Sequence, residues 1–308
     1  MMRIRVLGAA AGGGFPQWNC NCESCRRAWK GETPAQTQAS LAVSAEGERW
    51  FLLNASPDLR AQILANPPLQ PRHPGRDSPI LGAVLTNGDV DAIAGLLTLR
   101  ESQKLALYAT PRVLGVLGAN GVFNVLNPDY VARRPITLGE PVDLQTRDGG
   151  ATGLRIEAFS VPGKVALYLE DAAIDQRLAQ RSEDTIGLAI SAPSTDKRFY
   201  YLPACAALDD ELKERLRGAA LLLFDGTLWR DDEMIRAGLG AKTGRRMGHL
   251  SVSGPDGSMA ALADLGIARK LFIHINNTNP ILCAGSPERA AVEAAGWQVA
   301  CDGLEIAL

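Results

Sequence analysis

The chain has 308 residues, 46% of them hydrophobic and 21% charged, and 32 Lys and Arg stand against 34 Asp and Glu for a net charge of −2. This composition excludes a disordered chain, and the near-neutral balance leaves no electrostatic footprint for nucleic acid. The longest apolar runs, such as 219–224, are strand-sized and far short of the roughly 20 residues that a membrane-spanning helix needs.

The N-terminal Met1-Met2-Arg3-Ile4-Arg5-Val6-Leu7 reads as a first strand, with no apolar export segment after it. The expected location is cytoplasmic, with no membrane span. Further strands are predicted over 40–43, 50–53, 80–85, 106–108, 154–159, 166–169, 186–191, 198–202, 221–224 and 271–275. Helices are predicted over 57–65, 91–99, 111–119, 209–216, 256–265 and 286–295. Strand meanders separated by helices in both halves suit an α/β sandwich with helices on its outer faces. A single domain over 1–308 is expected. The Asp148-Gly149-Gly150 turn marks an expected seam, near 147–152, between two similar halves.

Chemistry is concentrated in a few rare residues. Cys20, Cys22 and Cys25 fall within six positions. Three thiolates so spaced can converge on one tetrahedral zinc, with a fourth ligand from elsewhere. A redox thiol pair or plain thiols are the other readings. Gly12-Gly13-Gly14 follows the first strand, but no G-x-G-x-x-G can be drawn through it, so a dinucleotide loop is excluded. Asp89 and Asp91 lie where a buried strand runs into a helix. Asp91 is a natural helix cap, and the two carboxylates together can also hold a hard cation.

Lys164 follows a Pro-Gly turn, where a lysine is usually solvated. Cys205 lies just past a strand end and reads as a buried thiol, with a role near a metal as the minority reading. His249, preceded by Gly248 in a polar loop, is a candidate catalytic residue or ligand. The neighbouring Arg245 and Arg246 suit a carboxylate-bearing ligand. His274 ends a strand ahead of Asn276, Asn277 and Asn279 and is a candidate metal ligand. His73, in the Pro-rich loop, reads as an exposed residue.

These pieces, in this order, resemble the metallo-β-lactamase superfamily, whose fold is an αββα sandwich of two similar halves. That family carries T-H-x-H-x-D-H after an early strand; here the stretch is Thr86-Asn87-Gly88-Asp89-Val90-Asp91-Ala92, which keeps only Thr86 and Asp91. The family's Pro-Gly-His appears as Pro162-Gly163-Lys164, its bridging aspartate is expected to fall at Cys205, and its last histidine matches His274. A histidine-rich two-zinc hydrolase site is therefore dismantled.

A closer resemblance covers essentially the whole chain. It rests on Gly12-Gly13-Gly14-Phe15-Pro16-Gln17-Trp18-Asn19-Cys20-Asn21-Cys22, Asn54-Ala55-Ser56-Pro57-Asp58-Leu59-Arg60, Leu223-Phe224-Asp225-Gly226-Thr227 and His274-Ile275-Asn276-Asn277-Thr278-Asn279-Pro280. These are similar to the branch of the superfamily that serves pyrroloquinoline quinone (PQQ) biosynthesis. The resemblance implies one of two roles. One is iron- and oxygen-dependent hydroxylation of the tyrosine ring in a peptide-derived Glu–Tyr precursor. The other is non-catalytic carriage of PQQ or its precursor to the periplasm. Beside the structural Zn(II) read from the spacing of Cys20, Cys22 and Cys25, it implies an Fe(II) held by Asp91 and His274 with Asp89 or His249 completing the set. The fourth zinc ligand is His274 or Asn277. Asp91 and His249 are the expected catalytic residues, and other enzymes of the PQQ pathway are the expected partners.

Overall fold

The computed structural model describes residues 1–169, 181–193, 195 and 197–308. Its strands form two seven-stranded sheets. The first has the order β14-β1-β2-β3-β4-β5-β6, with β1 Arg3–Gly8, β2 Ser40–Ser44, β3 Trp50–Leu53, β4 Ile80–Val84, β5 Leu105–Ala109, β6 Val131–Pro135 and β14 Glu305–Ala307. The second has the order β13-β12-β11-β10-β9-β8-β7, with β7 Pro141–Gln145, β8 Ala151–Pro162, β9 Arg181–Ser191, β10 Arg198–Leu202, β11 Leu221–Asp225, β12 Lys270–Ile273 and β13 Trp297–Val299.

Strand alternation explains the layering. In β2, Leu41 and Val43 enter the core between the sheets while Ala42 faces the outer layer. In β11 and β12, Leu221, Leu223, Leu271 and Ile273 point inward, while Leu222, Phe224 and Phe272 pack outward. Both faces of these strands are covered, so they read as continuous apolar runs. The outer face of the first sheet is covered by α2 Leu59–Ala65, α3 Val90–Ile93 and α4 Pro111–Ala119. The second is covered by α1 Glu23–Trp29, α5 Asp210–Leu216, α7 Ser258–Ala261 and α8 Pro287–Ala294. The architecture is the expected αββα sandwich.

Each sheet has a parallel half. β3 to β6 run parallel in the first, and β10 to β13 in the second. Parallel neighbours need crossover connections, and in such sheets ligands collect beyond the carboxyl ends of the strands. The residues after β3, β4, β10, β11 and β12 therefore share one edge of the sandwich.

Four expectations change, the predicted 256–265 helix being reduced to the single turn of α7, Ser258–Ala261. The 166–169 stretch is not a strand but ends in a 3-10 turn, Leu167–Leu169. The predicted 91–99 helix is α3 followed by a 3-10 segment, Ala94–Leu99. The Asp148-Gly149-Gly150 turn lies inside the β7–β8 hairpin of the second sheet, and the chain crosses between sheets earlier, from β6 to β7. A Gly-rich turn marks a reversal of direction, and a hairpin within one sheet supplies that as well as a boundary does.

Candidate active site and thiol cluster

Five elements deliver the site. After β3, Asn54 adopts left-handed backbone (φ 61), which Asn tolerates better than most residues. Its Oδ1 accepts from Thr86 N at 2.9 Å and its Nδ2 donates to Thr86 Oγ1 at 2.9 Å, locking the ends of β3 and β4 together. Asp89 then occupies the N-cap position of α3, and Asp91 lies in its first turn.

From β11 comes Asp225, fully buried, whose Oδ1 accepts from Thr227 N at 3.0 Å and from Thr227 Oγ1 at 2.6 Å. Its Oδ2 accepts from Cys205 N at 3.0 Å. From the end of β12 comes His274, also left-handed (φ 57), its carbonyl oxygen 2.8 Å from Thr227 Oγ1. Such a backbone costs of order 1–3 kcal/mol and persists only where the surroundings over-determine it. His249 follows a 3-10 turn, Arg245–Met247, ended by left-handed Gly248 (φ 89). A Cβ at Gly248 would lie 3.0 Å from Lys164 Cγ, so glycine is needed there for both conformation and space.

The two imidazoles stack, centroids 5.2 Å apart and planes 24° from parallel. His249 Nδ1 lies 2.7 Å from Asp225 Oδ2, and His274 Nε2 lies 2.9 Å from Asp91 Oδ2. Thr227 Oγ1 sits between the rings, 3.1 Å from His249 Nδ1 and 2.9 Å from His274 Nδ1. Burial works against the charged form of Asp91, but the hydrogen bond and charge of His274 outweigh it and hold the carboxyl below its ordinary range. Burial likewise opposes protonation of His274, and the hydrogen bond and charge of Asp91 raise the imidazole above its ordinary value.

Ligand atoms of Asp225, His249 and His274 all lie within 4.8 Å of one another. Two imidazoles with carboxylates beside them form a donor set that suits a divalent first-row metal such as Fe(II) or Zn(II). His249 and His274, with Asp91 and Thr227, floor a cavity of about 590 Å³ that also takes in Asn87, Asp89, Lys164, Met234, Lys242 and Asn276.

The structure thus brings Asp91, His249 and His274 together as expected candidates, and it adds Asp225 and Thr227. Asp89 lines the same cavity but is turned toward Lys164, its Oδ1 3.9 Å from Nζ. Lys164 is accordingly part of the cavity and not a solvated turn residue. The position assigned to a bridging aspartate, Cys205, is a buried residue whose backbone N–H supports Asp225 on the neighbouring strand. The basic residue that the 242–246 stretch gives to the cavity is Lys242, not Arg245 or Arg246. Asp225, Thr227 and Lys242 escaped sequence reasoning. Asp225 at the end of an apolar strand carried a usable signal, because that is where such sheets place functional side chains.

The cysteines form a second centre. Sulfur atoms of Cys20, Cys22 and Cys25 lie within 4.8 Å of one another. Cys22 caps α1, its Sγ accepting from Cys25 N at 3.5 Å. Burial, with the adjacent thiols, pushes the Cys22 thiol up to about 12. Close-packed thiols resist joint ionisation, which a bound cation relieves, so the cluster fits zinc. Asn277, not His274, faces this cluster: its side-chain amide lies 3.3 Å from Cys25 Sγ and 3.9 Å from Cys22 Sγ. His274 has both ring nitrogens engaged with Thr227 and Asp91.

A fold of two mixed sheets between helices, with a His/Asp cluster at the strand ends, defines a metallo-β-lactamase-like protein, and residues 49–275 match the β-lactamase superfamily domain model. The chain is 57% identical to coenzyme PQQ synthesis protein B of Rhodopseudomonas palustris, over all of both sequences, and 54% identical to that of Bradyrhizobium diazoefficiens, again over all of both. The crystal structure of Zn(2+)-bound PqqB from Methylobacterium extorquens superposes with a TM-score of 0.94 at 52% identity, covering 99% of this chain and 100% of that one. The chain belongs to the coenzyme PQQ synthesis protein B family of the β-lactamase superfamily, and hence to PQQ biosynthesis.

Proposed function

We propose that the protein hydroxylates the tyrosine ring of a Glu–Tyr derived precursor of PQQ, using Fe(II) and O2. The observation that carries this reading is the convergence of His249, His274 and Asp91 on one cavity, with the buried Asp225 carboxylate behind the two rings. Imidazole and carboxylate ligands with open positions suit non-haem iron. His249, His274 and Asp225, with Asp91 beside them, would hold the metal, and iron would supply the activation of O2. Inserting one oxygen atom into an aromatic C–H bond releases the other as water and consumes two electrons and two protons from an external reductant.

The chain's own residues do the rest. Asp91 orients the His274 ring through Nε2, which leaves Nδ1 for a metal, and Thr227 spaces the two rings. Lys164 and Lys242 give the cavity positive charge for the carboxylates of an amino-acid-derived substrate. Asp91 and His249 border the space where a ring proton would be accepted. We also place a structural zinc on Cys20, Cys22 and Cys25, with Asn277 beside it; an amide flip would turn its oxygen toward the metal.

The test is a single turnover. Anaerobic protein is loaded with Fe(II) and the Glu–Tyr substrate, then pulsed with O2, and the product is weighed. A gain of one oxygen atom that is absent with Asp91→Ala supports the hydroxylase. No gain, with tight stoichiometric binding of finished PQQ, overturns it in favour of the carrier, for which the size and charge of the cavity are also suited. Among the described residues no helix is long and apolar enough to cross a membrane.

A further inference from the structure

Five consecutive residues leaving β12 reach different parts of the molecule. His274 joins the stacked imidazoles. Ile275 is pinned by backbone bonds, its N–H to Ala9 O at 2.9 Å and its carbonyl from Ala11 N at 2.8 Å. Asn276 lines the cavity, and Asn277 reaches Cys25. Thr278 donates its hydroxyl to Glu233 Oε1.

Glu233 opens α6, Glu233–Arg236, and its Oε2 accepts from Trp229 N at 2.6 Å. The 229–242 stretch forms one wall of the cavity through Met234, Gly240, Ala241 and Lys242. This wall lacks a core of its own: α6 has no buried residue, and Ile235 and Leu239 are 46% and 44% exposed. Elements with few buried apolar contacts are the first to open locally. Here polar bonds supply the fastening. Asn276 Nδ2 donates to Thr278 Oγ1 at 2.6 Å and lies 3.3 Å from Met234 Sδ, so cavity floor, Thr278, Glu233 and cavity wall form one chain of contacts.

We propose that Thr278 and Glu233 are positioning residues, a latch that fastens the 229–242 wall and sets the shape of the cavity presented to its ligand. The single hydroxyl of Thr278 donates to Glu233 and accepts from Asn276, so removing it breaks both links at once. The ligand part of this inference rests on the cavity being the site for PQQ or its precursor; the latch itself does not.

The test compares full-length wild type, Thr278→Val and Thr278→Ser. Hydrogen exchange of the 229–242 amides is followed without ligand, zinc content is measured, and affinity is read with PQQ as the probe. In Thr278→Val, exchange of 229–242 should rise about fivefold, the scale expected for a lost hydrogen bond, while zinc content and exchange elsewhere stay unchanged. Thr278→Ser should restore slow exchange, and PQQ affinity should fall in the Val variant alone. Unchanged exchange in Thr278→Val, failure of Ser to rescue, or an increase spread over the whole molecule overturns the proposal. Equal PQQ affinity in wild type and a loosened Thr278→Val overturns it too. If the wall loosens as expected but wild type binds no PQQ, the latch stands and the assignment of the cavity's ligand fails.

Discussion

Asp91 Oδ2 and His274 Nε2 lie 2.9 Å apart, although 183 positions of sequence separate them. The contact joins the two sheets: Asp91 follows β4 of the first, and His274 follows β12 of the second. It therefore forms only once the sandwich closes, and both partners carry pKa shifts that favour the charged pair.

Replacing Asp91 or His274 by Ala should remove metal from the imidazole cluster and leave that of the cysteine cluster in place. Metal content of the purified variants, measured after loading with Fe(II) and zinc, reads this directly. Unchanged iron in both variants would mean that the cluster is not a metal site.

Thr227→Val should weaken iron binding by roughly 10- to 100-fold, the usual cost of losing a group that orients histidine ligands. Its hydroxyl contacts both rings, so Thr227→Ser should retain most of the affinity. Competition with a chelator of known affinity ranks the three proteins, and equal ranking would refute the role.

Cys25→Ser should strip zinc from the thiol cluster. Zinc held at a hundredfold excess over its dissociation constant stabilises a fold by about 2.7 kcal/mol. For a domain of this size the loss corresponds to a fall in Tm of roughly 4 °C. A thermal scan with and without chelator checks it, and a wild type indifferent to chelator would contradict a structural zinc.

Asp302 ties the chain ends into the fold, accepting from Ala9 N at 3.1 Å, Thr37 N at 2.8 Å and Thr37 Oγ1 at 2.7 Å. Burial raises its carboxyl to about 6, the bonds from Thr37 and Ala9 notwithstanding. An unfolded Asp titrates near pH ~3.9. Between these values the folded protein binds more protons than the unfolded one, so this group's contribution is present below about pH 4 and is lost as pH rises through about 6. Urea unfolding across that window should show wild type losing stability relative to Asp302→Asn as pH increases. Parallel curves for the two proteins would disprove it.

The legible and illegible strands divide on a physical line. Ten strands were anticipated in place, and the four that were missed, β6, β7, β13 and β14, are the four edges of the two sheets. Interior strands are apolar on both faces because both faces are covered. Edges are kept short or polar: β6 reads Val-Ala-Arg-Arg-Pro, and β14 has three residues. The short α1 and α6 were missed too: α1 buries only Ser24 and Cys25 and α6 buries no residue, so neither shows an apolar stripe.

By itself the sequence determined the layered class, the spacing of the three cysteines and the candidacy of Asp91, His249 and His274. Local chemistry and alternation within a strand are written in neighbouring residues. Only the tertiary structure decided that Asp225, held by the Cys205 N–H, supplies the buried carboxylate, that Asp89 turns to Lys164, and that Asn277 meets the thiols while His274 meets Asp91. Those choices depend on which strand ends the closed sandwich brings to one edge, and no local pattern in the chain encodes that.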